Sequence, residues 1–106
     1  ILQERPNTTG FVVQNEAAIA PLLSLLRLSG RAVPEDTSVV AICPDQVALQ
    51  SSPRLTSVSI PAEAMGRAAV RQVVAQLDRS VDHVGQTTLI PPVLTVRDSS
   101  ARGPAA

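Results

Sequence analysis

Apolar positions along the chain fall into two rhythms. Phe11-Val12-Val13 is a brief apolar run of the β type, followed at once by Gln14-Asn15-Glu16. From Ala17 to Leu28 the sequence is rich in Ala and Leu, and Ile19, Leu22, Leu23 and Leu26 recur at helical spacing, which predicts one buried face. Leu25 and Leu28 are apolar but lie off that stripe. Asn15 suits a helix N-cap, Glu16 suits the first turn, and Gly30 suits the stop. Pro21 fits only if the helix starts near Ala20, because deeper in a helix it costs a hydrogen bond.

Pro34-Glu35-Asp36 is a turn, and Thr37 to Ile42 reads as a strand. Val39-Val40-Ala41-Ile42 does not alternate with polar residues, as expected of an interior parallel strand covered on both faces. Strand, helix, strand makes a βαβ unit with a right-handed crossover. The fold class is therefore α/β, with mainly parallel sheet flanked by helices. Residues 46–55 read as a loop. Leu55 to Ile60 alternates as a strand. Pro61 introduces an amphipathic helix from Ala62 to about Arg79, with Met65, Ala69, Val73 and Leu77 at four-residue intervals, widened by Val70 and Val74. Residues 80–86 read as a loop. Thr87–Ile90 and Val93–Val96 read as two short strands broken by Pro91-Pro92, and residues 99–106 as a frayed tail.

Ligands of open α/β sheets bind beyond the carboxyl ends of the strands. Two segments lie at such ends: Asn15-Glu16 and Cys43-Pro44-Asp45. Composition narrows what they do. Nine basic and nine acidic residues cancel, so this segment lacks the basic face that a phosphate backbone demands. No stretch is apolar enough for a membrane span. A lone cysteine forms neither an internal disulfide nor a cysteine metal cluster, and the sequence has no set of residues with metal-ligand spacing. Nothing resembles a nucleophile elbow or a phosphate-cradling glycine loop, so no catalytic residue, metal or cofactor is expected. His83, beside Asp82, is expected to be solvated, and Cys43 to be a small buried hydrophobe. The opening Ile1-Leu2-Gln3-Glu4-Arg5-Pro6 reads as the last turn of a helix, as if the chain began within something larger.

Three blocks in order resemble one family. "TGFVVQNEAAIAPLLSLLRLSGRAVPEDTSVV" is similar to the strand, Asn-Asp, helix, Gly, Val-Pro-Glu-Asp, strand block of LacI/GalR-type transcriptional regulators. "PRLTSVSIPAEAMGRAAVRQVVAQL" resembles their Pro-Leu-Thr-Thr-Val strand and Met-Gly-Arg-Ala-Ala helix, and "LIPPVLTVRDSS" their closing Leu-Pro-Pro-x-Leu-x-Val-Arg-x-Ser. The resemblance implies the C-terminal portion of a two-lobe, periplasmic-binding-protein-like effector domain. It puts residues 1 to about 49 and 87–98 in the C-terminal lobe, about 50–86 in the N-terminal lobe, and 99–106 in a tail. It also implies a small-molecule effector, a sugar or related metabolite, and a homodimer in the cytoplasm, with DNA bound only by an upstream helix-turn-helix outside this chain. The alternative is a secreted solute-binding protein of a transport system with the same fold.

By the same resemblance the ligand-binding positions are Asn15, Glu16, Ile42, Asp45 and Ile60. Glu16 stands where the family usually has Asp, with its acceptor one methylene further out. Ala41-Ile42-Cys43-Pro44 replaces Gly-Phe/Tyr-Asp-Asp, and Ile60 stands at a common Gln. Such a pocket has lost polar and aromatic groups, which implies a less polar effector or a degenerate pocket. A dimer contact is implied on the first helix, at Leu22, Leu25 and Leu28.

Overall fold

The computed structural model describes residues 4–78 and 87–103. Their order is β1 (Gly10–Val13), a 3-10 turn (Glu16–Ala18), α1 (Ile19–Leu28), β2 (Ser38–Ile42), α2 (Asp45–Gln50), β3 (Thr56–Ser59), α3 (Ala62–Asp78) and β4 (Val93–Thr95). The strands form one sheet in the order β1-β2-β3-β4. β2 is parallel to β1, with Phe11 opposite Val39, and parallel to β3, with Ala41 opposite Ser57. The strand Val39–Ile42 is thus interior and parallel, as its apolar run predicts.

Its two faces are not equally covered. Val39 and Ala41 are fully buried, while Val40 and Ile42 on the other face are half-buried. The covered face carries the core: Val13, Ile19, Leu26, Val39, Ala41, Cys43, Ala48 and Leu55. Leu26 is 0% exposed, a burial that contributes about 1.5–3 kcal/mol.

α1 begins at Ile19 because the 3-10 turn takes up residues 16–18. Pro21 therefore falls in the first turn, where its missing N–H has no intrahelical partner to lose. Ile19 and Leu26 are buried, and Leu22 and Leu23 are half-buried against the core. The helix ends on Gly30, at φ +74°. There the Arg31 amide donates to the Leu26 carbonyl at 2.9 Å and the Gly30 amide to that of Arg27 at 3.1 Å. This double closure needs the left-handed conformation that glycine adopts without penalty.

Several expectations are corrected. Residues 46–55 are not all loop: α2 occupies Asp45–Gln50 and buries Ala48. Residues 99–101 are not frayed. Ser99 is fully buried, its hydroxyl accepts from the Thr56 amide at 2.8 Å and donates to the Val39 carbonyl, and its carbonyl accepts from the Val39 amide at 2.9 Å. Thr87–Ile90 is not a strand. It shares a groove with Met65, Ala68, Ala69 and Gln72 of α3, where the Gln72 amide nitrogen lies 2.9 Å from the Thr88 hydroxyl oxygen. The expected loop at 80–86, with His83 and Asp82, lies outside the described residues.

The chain divides into two units, Ile1–Ser59 with Leu94–Ala106, and Ile60–Val93. The divisions fall at 59/60 and 93/94 rather than near 50 and 87, because β3 pairs with β2 and so belongs with the first unit. In the second unit, the apolar stripe of α3 is present but uncovered. Met65, Val70, Val73, Val74 and Leu77 are all exposed, and no residue of α3 is buried.

Candidate functional site

β1 and β2 run parallel, so their carboxyl ends place residues 14–16 and 43–45 on the same side of the sheet. At the end of β1 the chain must turn into α1. Asn15 makes the turn: its backbone is extended, and its side-chain oxygen accepts from the Ala17 amide at 3.0 Å while its carbonyl accepts from Ala18 at 2.9 Å. This cap leaves Glu16 in the first turn with its side chain exposed and, among the described residues, in no ion pair.

At the end of β2, Ile42 is half-buried and Cys43 is buried. Pro44 caps α2 with an extended backbone, and Asp45 opens the helix. A carboxylate there is favoured by the unsatisfied amides of the first turn. Asp45 also accepts from Arg97, whose Nη2 lies 3.0 Å from Oδ1. The other terminal nitrogen, Nη1, donates to the Leu55 carbonyl at 2.9 Å and to the Ser57 hydroxyl at 2.6 Å. The Arg97 backbone amide donates to the Thr56 hydroxyl at 2.8 Å.

Charges at both strand ends act on Cys43. Burial pushes its thiol up from the ordinary value. The Glu16 carboxylate adds to the rise, Arg97 opposes it, and Asp45 adds to it again. Glu16, Asp45 and Arg97 thus all act electrostatically on the Cys43 thiol. The arrangement offers acceptors for ligand hydroxyls from Glu16 and from the exposed part of Asp45, at the carboxyl ends of adjacent parallel strands. Among the described residues no group of three His, Cys, Asp or Glu side chains is placed to hold a metal.

Of the five expected ligand positions, Asn15, Glu16, Ile42 and Asp45 lie at the carboxyl ends of β1 and β2. Ile60 follows β3, is exposed, and belongs to the second unit. Asn15 has its side-chain oxygen engaged as a cap. Of the expected interface residues, Leu25 (52% exposed) and Leu28 (83%) face outward, whereas Leu22 packs against the core. Arg97 was not singled out by the sequence, although an arginine directly after an apolar strand is a signal for a paired charge. A separate groove of about 440 Å3 lies between α1 and residues 50–53, lined by Leu23, Arg27, Val33, Ser51 and Pro53 among others. None of the expected ligand positions lines it.

A family model described as periplasmic binding protein-like domain matches residues 1–100. The chain belongs to that family. Its form is that of the effector-binding domain of LacI-family transcriptional regulators. It is 33% identical over 99 residues to the arabinose metabolism transcriptional repressor of Geobacillus stearothermophilus, covering 92% of this chain and 26% of the repressor. It is 34% identical over 88 residues to the HTH-type transcriptional regulator CelR of Thermobifida fusca, covering 83% of this chain and 24% of CelR. This LacI-type domain thus spans about a quarter of the length of these curated relatives. Among solved structures, it is similar to a LacI family regulator from Arthrobacter sp. FB24 in complex with lactose. There the TM-score is 0.79 at 31% identity, over 94% of this chain and 37% of that one. A CelR–cellobiose complex gives a TM-score of 0.77 at 31% identity, over 93% and 30%. No helix of the domain's described residues is long and apolar enough to cross a membrane.

Proposed function

We propose that this domain is part of the effector sensor of a LacI-family transcriptional regulator, and that it takes a sugar or related small metabolite at the carboxyl ends of its parallel strands. Ligand would change the DNA affinity of a helix-turn-helix outside this chain through the differential stability of two conformations. The observation that carries the reading is the placement of exposed Glu16 and Asp45 at the carboxyl ends of two adjacent parallel strands. Glu16 is the acceptor for ligand hydroxyls, Asp45 and Ile42 form the facing edge, and Asn15 holds the turn. Ile60, which follows β3, is a further ligand position by the family resemblance. The kinship with lactose- and cellobiose-bound regulators supports a sugar, and the regulator names of the relatives favour this reading over a transport solute-binding protein. In this reading the first unit belongs to one lobe and residues 60–93 to the other, and the protein works in the cytoplasm as a homodimer with Leu25 and Leu28 at or beside the contact. Nothing in the site calls for catalysis or a cofactor.

The test is calorimetric titration of the full-length protein with lactose, cellobiose and L-arabinose. At least one is expected to bind, and Glu16→Ala is expected to weaken it by about 1.5–3 kcal/mol, the usual worth of a hydrogen bond to a charged group. Unchanged affinity in the variant would reduce Glu16 to a helix-terminus residue.

A further inference from the structure

We infer that Arg97 is a positioning residue: it fixes the Cys43–Asp45 corner, and with it the Asp45 carboxylate, against β3. The inference adds a residue to the ligand site proposed above and rests on that reading only for what the corner is used for.

Arg97 is the least exposed of the paired charges among the described residues. Its side chain is 13% exposed, against 57% for Asp45 and 54% or more for both partners of the Arg54–Asp98 and Arg67–Glu63 pairs. It reaches Asp45 from 52 positions away in the sequence. Two anchors hold its guanidinium in place: the carbonyl of Leu55, just before β3, and the hydroxyl of fully buried Ser57 on β3. The Thr56 hydroxyl holds its backbone on the same strand. Asp45 has no such support of its own. It opens a helix of six residues whose preceding Pro44 makes no side-chain cap bond, and whose other tie, the Leu55 amide donating to the Ala48 carbonyl at 3.0 Å, lies at its far end.

The geometry makes the support directional. A guanidinium is a rigid planar fork, so engaging Nη1 on β3 determines where Nη2 points. Nη2 donates to Asp45 Oδ1 at 3.0 Å. A lysine is a single point donor and cannot bind β3 and Asp45 in two fixed directions. The pair is also half out of water, where a charge-assisted hydrogen bond keeps more of its strength than on an open surface.

The test compares Arg97→Gln, Arg97→Lys and Asp45→Ala in the full-length protein. Asp45→Ala leaves Arg97 on β3, so it tests the link even where Arg97→Gln fails to fold. The first readout is backbone hydrogen exchange. Arg97→Gln and Asp45→Ala are expected to speed exchange about tenfold in residues 43–48, with β1 and β2 unchanged, as a local opening does. Arg97→Lys is expected not to restore protection. The second readout is affinity for cellobiose, expected to fall about tenfold in the same variants. Uniformly faster exchange across β1 and β2 would make Arg97 a general brace and overturn the inference. So would unchanged exchange at 43–48, or full rescue by lysine. Local loosening with unchanged cellobiose affinity would overturn the corner's service to the site. Should the wild type bind none of the three sugars while exchange rises only at 43–48, the ligand reading fails and the positioning role stands.

Discussion

The Val39 amide donates to the Ser99 carbonyl at 2.9 Å, and the Ser99 hydroxyl donates back to the Val39 carbonyl. The same hydroxyl accepts from the Thr56 amide at 2.8 Å. One serine, 60 positions beyond Val39, thus joins β2 to β3 on behalf of the closing segment. Ser99→Ala would leave the buried Thr56 amide without its partner. The expected cost is about 1–3 kcal/mol, since an unsatisfied buried donor carries its full desolvation penalty. Chemical denaturation of the variant measures it. A loss below about 0.5 kcal/mol, typical of surface changes, would mean that Ser99 is replaceable there.

Leu26 and Leu28 lie two positions apart on α1 with opposite surroundings, 0% and 83% exposed. Leu26→Ala is expected to cost about 2–5 kcal/mol through the cavity it leaves. Leu28→Ala is expected to change the stability of the folded subunit by no more than about 0.5 kcal/mol. Urea midpoints of the two variants, compared at equal slope, decide it.

Leu25→Glu with Leu28→Glu tests the proposed dimer. Both leucines are exposed, so two glutamates there leave the fold intact, while charges placed in an apolar two-fold contact oppose association. The expected result is a monomer with unchanged circular dichroism. A double variant that still sediments as a dimer at low micromolar concentration would remove this helix from the interface. A double variant that unfolds would return both leucines to the core.

Cys43 gives stability a specific alkaline dependence. Burial, then Glu16, raise its pKa, so the folded chain keeps the proton to higher pH than the unfolded one. Above about pH 8.5, the ordinary thiol value, the unfolded state binds fewer protons. Stability therefore falls as pH rises from there through the folded-state value, and the thiol has no effect below. The sequence has no tyrosine, and its nine basic residues are all arginine, so no other side chain in it titrates between there and the arginine range. Cys43→Ala is expected to flatten the slope between pH 8.5 and 10.5 in thermal melts.

The β1-α1-β2 core was legible because each element buries its own periodic apolar set, and Ile19, Leu26, Val39 and Ala41 lie where their spacing puts them. α2 was not legible, because six residues are too few for a helical period to show. The stripe of α3 was legible but its burial was not, since exposed Val70, Val73 and Leu77 meet no cover among the described residues. At the site, the Asn15 cap points to Glu16, and Asp45 is pointed to only by its place just past the end of an apolar strand. Arg97 escaped because its partners lie 40 to 52 positions away, a separation that no local pattern encodes. The closing Ser-Ser-Ala escaped for the same reason: small polar residues read as fray until the strands they join are known.

The division of the chain at 59/60 and 93/94 makes the first unit discontinuous in sequence. Its joint at Ser99 is synthesised only after the whole of residues 60–93. At a translation rate of ~5–20 residues per second, β2 and β3 wait roughly 2–8 s for that serine after Ser59 is made. During this interval the Thr56 and Val39 backbone groups that Ser99 satisfies are open to water or to another chain. Vectorial synthesis therefore cannot finish the first unit before the second has left the ribosome, and the nascent chain passes through an incomplete sheet on the way to the native one.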